Sequence, residues 1–311
     1  MIYKKLLIFF CFASVFAETK TFSITNANTG PIRVLFLGHD SKHHNSNAYY
    51  PMLSRALGQE AIYFDYVTSV EEALGNAEYL AKFDALLLYA NHGKIESHQW
   101  KNLKNYVESG GGFLPIHCAS WCFANEPGFD KLVGGRFKSH QGSEFKAKIV
   151  NSKHPAMNGV KEFTAWDETY FHSNHNTENR TVLMVREAMK GDPHTKPEPW
   201  TWIRTQGRGR IFYTASGHDQ RVWNNAGFHQ LIKSGIIWAV GDKARGRYEK
   251  FLTNRTKLKY EKRNNIPNYE RRKEPLKYQL PLSPEDSIKS VSYTHLRAHE
   301  TLRYLVCRLL L

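Results

Sequence analysis

The sequence predicts an α/β fold in which helices flank a parallel sheet, with a β-rich second half. In the first half, short apolar runs alternate with segments whose apolar residues recur every three or four positions. In the second half, several strand-like segments follow one another, and two of them flank a turn that contains glycine. Strands that alternate with helices are typical of a parallel sheet, and a glycine turn between two strands indicates a hairpin.

Four strands and three helices are predicted in the first half. The segment 32–37 (IRVLFL) is a short apolar run that ends at Gly38, as expected of a buried parallel strand. The helix at 97–109 is predicted to begin with Ser97 as its N-cap and to end at the glycine run 110–112. The remaining predictions are helices at 49–57 and 70–79 and strands at 61–66, 84–89 and 113–116.

The second half is predicted to contain four strands and a closing helix. Strands at 200–205 and 210–215 form a hairpin around Gly207-Arg208-Gly209. The other strands are predicted at 145–150 and 181–186, and the helix at 228–240.

The N-terminus has the pattern of a secretory signal peptide. Residues 1–17 combine Lys4 and Lys5 with an apolar run and small or aliphatic residues before Ala17. The apolar run is shorter than the roughly 20 residues that a membrane span needs. We therefore expect cleavage after Ala17, a periplasmic or secreted location, and no membrane span in the cleaved chain.

Residues 243–311 divide into a linker and an unusual last segment. Residues 243–290 are polar and basic and contain several prolines, which indicates a linker toward a missing C-terminal domain. Residues 291–311 resemble a translated sequencing adapter, and we interpret them as an artefact. The folded domain is accordingly predicted at 18–242. Within it, Cys118 and Cys122 are expected to be buried free thiols.

The formal net charge of +14 does not predict nucleic-acid binding. Residues 243–280 carry 13 basic and 4 acidic residues, whereas residues 18–242 carry 24 basic and 22 acidic residues. A nucleic-acid site needs basic residues organised on a folded face. A nearly neutral domain excludes that class of partner.

Histidines follow three of the predicted strands. His39 comes after the first strand, His92 after the third and His117 after the fourth. Because ligands in open α/β sheets bind beyond the carboxyl ends of the strands, we expect a site at this edge. Further histidines in polar surroundings are His44, His140, His172 and His218.

Five motifs from about Arg33 to Asp242 resemble the trehalose-utilisation (ThuA-like) family. They are GHDSKHH, GGGFLPIHCAS, LVGGRFKSH, DETYFH and PWTWIRTQGRGRIFYTASGHDQRVW, and they occur in the order of that family. The resemblance implies a flavodoxin-like fold of the class I glutamine-amidotransferase-like group. It also implies a role in disaccharide or keto-sugar metabolism.

The chain departs from the amidotransferases at one turn. Those enzymes place a nucleophilic cysteine at the centre of a strand-to-helix elbow. Here His117 takes that position and Cys118 lies one residue beyond it. The segment Gly217-His218-Asp219 also lacks the usual H-x-E pair. We therefore expect no glutamine amidotransferase activity.

Acid–base chemistry on a sugar is the preferred hypothesis, of the isomerase, epimerase or lyase kind. Glu168 is predicted to be the base because partial burial would raise its pKa. His117 or His218 would be the acid, oriented by Asp219. The predicted substrate-binding residues are His39, His44, His92, Trp121, His140, Tyr170, His172, Trp202 and Trp223.

Two alternatives stay open at the level of sequence. The first is a divalent metal, whose candidate ligands are His39, His43 and His44, together with His92, His117 or Glu168. The second alternative is a non-catalytic carbohydrate-binding module of a larger protein, resembling a sugar dehydrogenase or a haem-binding protein. In both cases the partner is a small-molecule carbohydrate.

Overall fold

A computed structural model describes residues 29–254, and one eight-stranded sheet organises them. The predicted signal peptide and residues 255–311 lie outside the described residues. The strand order is β2-β1-β3-β4-β12-β11-β10-β7. These strands are β1 (Ile32–Leu37), β2 (Ile62–Val67), β3 (Ala85–Leu88), β4 (Gly112–Pro115), β7 (Lys148–Ile149), β10 (Arg180–Arg186), β11 (Glu198–Gln206) and β12 (Gly209–Thr214).

The first five strands of this order are parallel, and the other three are antiparallel. Strands β3 and β4 are buried at every position, as expected when helices cover both faces of a parallel sheet. The order β2-β1-β3-β4-β12 is that of flavodoxin-like folds, with β12 in the fifth place. The predicted α/β fold with a β-rich second half is confirmed.

Eight helices surround the sheet within residues 29–254. They are α1 (Ser46–Gly58), α2 (Val70–Leu74), α3 (Ala77–Leu80), α4 (Ser97–Glu108), α5 (Pro127–Val133), α6 (Gln220–Trp223), α7 (Ala226–Ala239) and α8 (Gly241–Asn254). Short 3₁₀ helices span His117–Trp121 and Pro155–Met157. None of the helices among the described residues has the length and apolar character needed to cross a bilayer.

Some predicted boundaries differ from the structure. The predicted helix at 70–79 is two helices, because Asn76 caps α3 by accepting the backbone N–H of Tyr79. The N-cap of α4 is Glu96, whereas Ser97 is the first residue of the helix. The backbone N–H of Glu96 donates to Gln99 Oε1 at 2.9 Å. The capping interaction therefore lies one residue earlier than predicted.

The structured region continues through the predicted domain boundary at residue 242. Helix α8 spans that boundary, contacts β1, and buries the side chain of Tyr248. Its Arg247 forms an ion pair with Asp84 at 2.6 Å. The predicted linker at 243–290 consequently begins with residues that belong to the folded unit.

Four short strands form two small sheets that the sequence analysis missed or misplaced. Strands β5 (Arg136–Ser139) and β9 (Phe171–Ser173) form one antiparallel pair. Strands β6 (Gly142–Lys146) and β8 (Thr164–Glu168) form the other, and β6 and β7 replace the single strand predicted at 145–150. The second pair places Glu168 at its end.

Both cysteines in the described region are free and buried, as predicted. The Cys122 thiol donates to the carbonyl of Ala90 at 2.9 Å. Burial raises the pKa of Cys122 to about 12 and the pKa of Cys118 well above its usual range. Neither thiol is therefore activated as a nucleophile.

Candidate functional site

Loops at the carboxyl ends of the parallel strands bring several polar side chains to one edge of the sheet. His44 lies in the loop after β1, His117 follows β4, and His218 follows β12. Glu168, the last residue of β8, reaches the same place. This is the edge at which open α/β sheets bind ligands, as the sequence analysis expected.

The three imidazoles converge on Glu168. Its Oε2 lies 3.2 Å from His117 Nε2 and 3.4 Å from His44 Nε2. Its Oε1 lies 3.0 Å from His218 Nδ1. Between the imidazoles, His44 Nε2 is 3.2 Å from His117 Nε2 and 3.4 Å from His218 Nδ1. We call His44, His117, Glu168 and His218 the histidine–glutamate cluster.

His117 occupies the elbow between β4 and the following 3₁₀ helix. Its backbone has a φ of 49°, which lies in the left-handed region that a non-glycine residue rarely adopts. Tyr170 stacks on the imidazole at a centroid distance of 4.1 Å. The predicted elbow position of His117 therefore corresponds to a strained backbone, a feature that concentrates at functional sites.

The hydrogen bond on the far side of the His117 ring fixes its tautomer. Nδ1 lies 2.6 Å from the carbonyl oxygen of Ala215, which only accepts, so Nδ1 carries the proton. Burial lowers the pKa of His117 to about 4, which keeps the ring neutral. Nε2 therefore directs a lone pair at the Glu168 carboxylate.

His218 is held by its backbone. The carboxylate of Asp167 accepts the backbone N–H groups of Gly217 and His218, each at 3.0 Å, and that of Glu168 at 2.9 Å. Burial raises the pKa of Asp167 to about 7 despite these three donors. Tyr89 donates to the carbonyl of Gly217 at 2.7 Å, so both ends of that peptide are fixed.

The structure does not support the predicted role of Glu168 as a base with a raised pKa. Burial alone would raise its pKa, but a proton shared with the ring nitrogens of His117, His218 or His44 outweighs burial and holds the pKa well below its usual range. Burial acts to lower the pKa of His218, but the hydrogen bond with Glu168 and the charge of that carboxylate raise it above its usual value. A carboxylate held in this way is a poor proton acceptor.

The cluster has the donor atoms and spacing of a metal centre. All four ligand atoms lie within 4.8 Å of one another. A tetrahedron with metal–ligand distances of about 2.0–2.1 Å has edges of about 3.3–3.4 Å. The five separations given above run from 3.0 to 3.4 Å, with His117 and His44 facing Glu168 Oε2 and His218 facing Oε1. The residues present thus fit a divalent cation with three imidazole ligands and one carboxylate.

The structure brings three of the candidate metal ligands, His44, His117 and Glu168, into the cluster. His44 belongs to the cluster, whereas His43 is exposed. His39 uses both ring nitrogens elsewhere: Nε2 donates to the carbonyl of His44 at 2.8 Å, and Nδ1 accepts the backbone N–H of Asn91 at 3.2 Å. His39 therefore supports the loop that carries His44 and offers no free lone pair to a cation.

Of the predicted substrate-binding residues, His140 lies beside the cluster, and Trp121 is exposed four residues after His117. The His140 side chain is 42% exposed, and its Nε2 lies 3.5 Å from Glu168 Oε1. Its Nδ1 is 3.1 Å from the carbonyl of Gln141, so the proton is on Nδ1 and the lone pair of Nε2 faces the cluster. Trp121 is 41% exposed and ends the 3₁₀ helix that begins at His117.

The other predicted site residues have structural contacts. His92 donates through Nε2 to the carbonyl of Gly38 at 2.9 Å. His172 is buried between Glu198 and Tyr213, with ring nitrogens 3.0 and 2.9 Å from their oxygens. Asp219 caps α6 by accepting the backbone N–H of Arg221. These residues position loops and do not join the cluster.

The buried tryptophans offer no face to a sugar. Trp202 donates through Nε1 to the carbonyl of Val133, and Trp223 to the carbonyl of Gly217, and both side chains are fully buried. Their places in the core explain the difference from the predicted binding role. Tyr170 is likewise buried and contacts the site through its ring, against His117.

Two residues of this site were not predicted from the sequence. Asn91 has its side-chain nitrogen 3.2 Å from His44 Nδ1, and Asp167 fixes the loop of His218. Asn91 follows β3 at the same edge, so its position in the chain was a usable signal. Asp167 directly precedes Glu168 on β8. Because successive side chains of a strand point to opposite faces, the sequence does not predict that Asp167 belongs to the same site as Glu168.

Comparison with known proteins agrees with the fold. A ThuA-like protein from Parabacteroides merdae superposes with a TM-score of 0.58 at 20% identity, covering 68% of this chain and 90% of the other. A ThuA-like protein from Bacteroides uniformis superposes with a TM-score of 0.57 at 16% identity, covering 70% and 94%. A search of curated proteins finds no match. The sequence model of the ThuA family, described as trehalose utilisation, matches residues 33–239. The chain therefore belongs to the ThuA family.

Proposed function

We propose that the chain is an exported, divalent-metal-dependent enzyme that acts on a disaccharide or keto-sugar. The single observation that carries this proposal is the facing pair of His117 Nε2 and Glu168 Oε2 at 3.2 Å. Both atoms present lone pairs, because the proton of the neutral His117 ring is on Nδ1. Two acceptors at this distance repel each other unless a cation or an added proton lies between them.

The ligand set favours an ion that accepts nitrogen and oxygen donors together. Imidazole suits zinc, iron, copper and nickel, and a carboxylate is compatible with each of them. Three histidines and one glutamate leave further positions free when such an ion is five- or six-coordinate. A divalent ion at this site supplies Lewis acidity that polarises a carbonyl or hydroxyl oxygen of the substrate.

The residues around the cluster suit proton transfer on a sugar. His140 is exposed and keeps the lone pair of Nε2 toward the cluster, which makes it our candidate for the group that moves the proton. Trp121 presents an exposed ring that is suited to stacking against a pyranose. Family membership supports the carbohydrate class of substrate. Isomerase, epimerase or lyase chemistry needs this combination of a polarised oxygen and a base.

The non-catalytic alternative has weaker support. A carbohydrate-binding module would depend on several exposed aromatic faces, and Trp202 and Trp223 are in the core. Only Trp121 among the predicted binding tryptophans is exposed. A glutamine amidotransferase has no support either, because Cys118 is buried with a raised pKa.

A product-resolved screen tests the proposed reaction. The protein is incubated with disaccharides and their 3-keto derivatives, before and after treatment with a chelator, and products are identified by mass spectrometry and NMR. We expect conversion of at least one compound, loss of conversion on chelation, and recovery when a divalent metal is added back. Conversion that is insensitive to chelation would contradict metal dependence. Binding of a sugar without any product would favour the module.

A further inference from the structure

Asn91 lies directly behind one of the candidate metal ligands. We propose that Asn91 is a positioning residue of the metal centre, whose amide oxygen accepts the Nδ1–H of His44 when the ion is bound. Asn91 thereby fixes the tautomer of His44 that presents the Nε2 lone pair to the ion. This inference rests on the proposed function, because it assigns the residue that prepares the same site.

The contacts of Asn91 place its amide against one edge of the His44 ring. The side-chain nitrogen lies 3.2 Å from His44 Nδ1, on the far side of the imidazole from Nε2. The backbone N–H of Asn91 donates to His39 Nδ1, and His39 Nε2 donates to the carbonyl of His44. Asn91 and His44 are therefore braced by the same third residue, and their separation is set.

The orientation of the Asn91 amide decides which nitrogen of His44 is protonated. With the NH₂ group toward Nδ1, that nitrogen accepts, and the proton of a neutral ring is on Nε2, where it would point into the cluster. A metal ligand needs the opposite arrangement, with Nδ1–H donating and Nε2 free. Of the two ends of the amide, only the oxygen can accept Nδ1–H.

The present orientation leaves an acceptor unused. Asn91 Oδ1 is shielded from solvent and has no hydrogen-bond partner among the described residues. The two ends of an amide have nearly the same shape, so a half-turn of the side chain costs little space. That half-turn gives Oδ1 the Nδ1–H of His44 as its partner and moves the NH₂ group to where Oδ1 now lies.

A second ligand of the cluster is already oriented in this way. The Nδ1–H of His117 donates to the carbonyl of Ala215 at 2.6 Å and leaves Nε2 toward the cluster. Histidine ligands of metals almost always donate their other N–H to an oxygen acceptor, and loss of that acceptor typically weakens metal binding by about 10–100-fold. Asn91 would do for His44 what the Ala215 carbonyl does for His117.

Two substitutions of Asn91 distinguish the effect of losing the hydrogen-bond acceptor from the effect of changing the packing. Asn91→Leu has nearly the same size and no acceptor, whereas Asn91→Asp keeps oxygen acceptors on the same side chain. Asn102→Leu is the matched control, because Asn102 donates to the Leu74 carbonyl away from the cluster. Zn²⁺ affinity is measured on the full chain by competition with a chromophoric chelator. Long-range ¹H–¹⁵N spectra of the Zn²⁺-loaded protein report the protonated nitrogen of His44.

We expect Asn91→Leu to weaken Zn²⁺ binding by about 10–100-fold, with Asn91→Asp and Asn102→Leu close to the wild type. We also expect a proton on His44 Nδ1 in the loaded wild type. Equal Zn²⁺ affinity of Asn91→Leu and wild type would overturn this inference and leave the proposed metal centre intact. Equal weakening of Zn²⁺ binding by Asn91→Leu and Asn91→Asp would also overturn it, because a change in packing, and not loss of the acceptor, would then explain the result. Absence of Zn²⁺ binding by the wild type would contradict both the proposed function and this inference.

Discussion

His117 shows how one residue can define the chemistry that a fold supports. It stands at the strand-to-helix elbow, with a φ of 49°. A histidine at this point supplies a neutral nitrogen donor and no acyl-transfer nucleophile. The next residue, Cys118, is buried and keeps its thiol protonated. The site is therefore suited to binding a cation and unsuited to thioester formation.

Replacement of His140 should separate turnover from metal binding. For His140→Ala we expect kcat on a converted sugar to fall by about 10²–10⁴-fold, because a general acid–base group is lost. The metal content should stay the same, since the four ligand atoms do not include this residue. His98→Ala, on the exposed surface of α4, is the control. Turnover of His140→Ala within about twofold of the wild type would contradict the assignment.

The individual ligands were partly predictable from the sequence. His117 was expected at the site because it follows a strand, His218 because of its polar surroundings, and Glu168 because of its expected partial burial. His39 and His92 have the same kind of position in the chain, yet their rings turn to backbone carbonyls. Ring orientation depends on the path of each loop, and a strand–loop pattern does not determine it.

At the level of elements, the apolar runs identified the central sheet, and the short strands escaped prediction. Strands β3 and β4 are apolar and fully buried, so their runs are continuous. Strand β5 is exposed or half-buried at every position, and β8 is largely so. Such strands have no apolar run in the sequence. They are recognised only by their pairing, of β5 with β9 and of β8 with β6. The element that delivers Glu168 was therefore the hardest to foresee.

Gly217 is a sensitive point of the loop after β12. Its φ is +143°, and a Cβ at this position would lie 3.1 Å from His117 Cβ. For Gly217→Ala we expect a loss of about 1–3 kcal/mol in the free energy of unfolding from backbone strain, and weaker metal binding because His218 moves. Denaturant titration and Zn²⁺ competition measure the two effects.

Gly58→Ala provides the comparison for Gly217→Ala. Gly58 ends helix α1, and no atom lies within 4 Å of an added Cβ. We expect both the stability and the Zn²⁺ affinity of this variant to stay near the wild-type values. If Gly217→Ala behaved like Gly58→Ala, the close approach of the two loops would not be important for the site.

For the whole molecule, helix α8 extends the folded unit beyond the predicted boundary at residue 242. The charge pattern misled that prediction, because the exposed basic residues of α8 resemble a solvated segment. The helix is nevertheless tied to the sheet by buried Tyr248, whose hydroxyl donates to the Glu60 carbonyl at 2.7 Å, and by the Arg247–Asp84 pair. The sequence of a highly charged helix that packs on a domain differs from that of a linker at only a few such positions.

A chain that ends at residue 242 should be less stable than one that ends at residue 256. Burial of an aromatic side chain contributes about 1.5–3 kcal/mol. Each kcal/mol shifts the Tm of a domain of this size by about 2–4 °C, so we expect a fall of roughly 3–12 °C. Differential scanning calorimetry of the two chains measures the difference. Equal Tm values would show that residues 243–254 contribute nothing to the fold.

The most direct test of the metal centre is the metal content of the untagged protein, together with Zn²⁺ titration of wild type, His117→Ala and His92→Ala. We predict about one equivalent for the wild type, binding at least about 100-fold weaker for His117→Ala, and unchanged binding for His92→Ala, whose ring turns to the Gly38 carbonyl. Fewer than about 0.2 equivalents in the wild type, with no saturable Zn²⁺ uptake, would contradict the account.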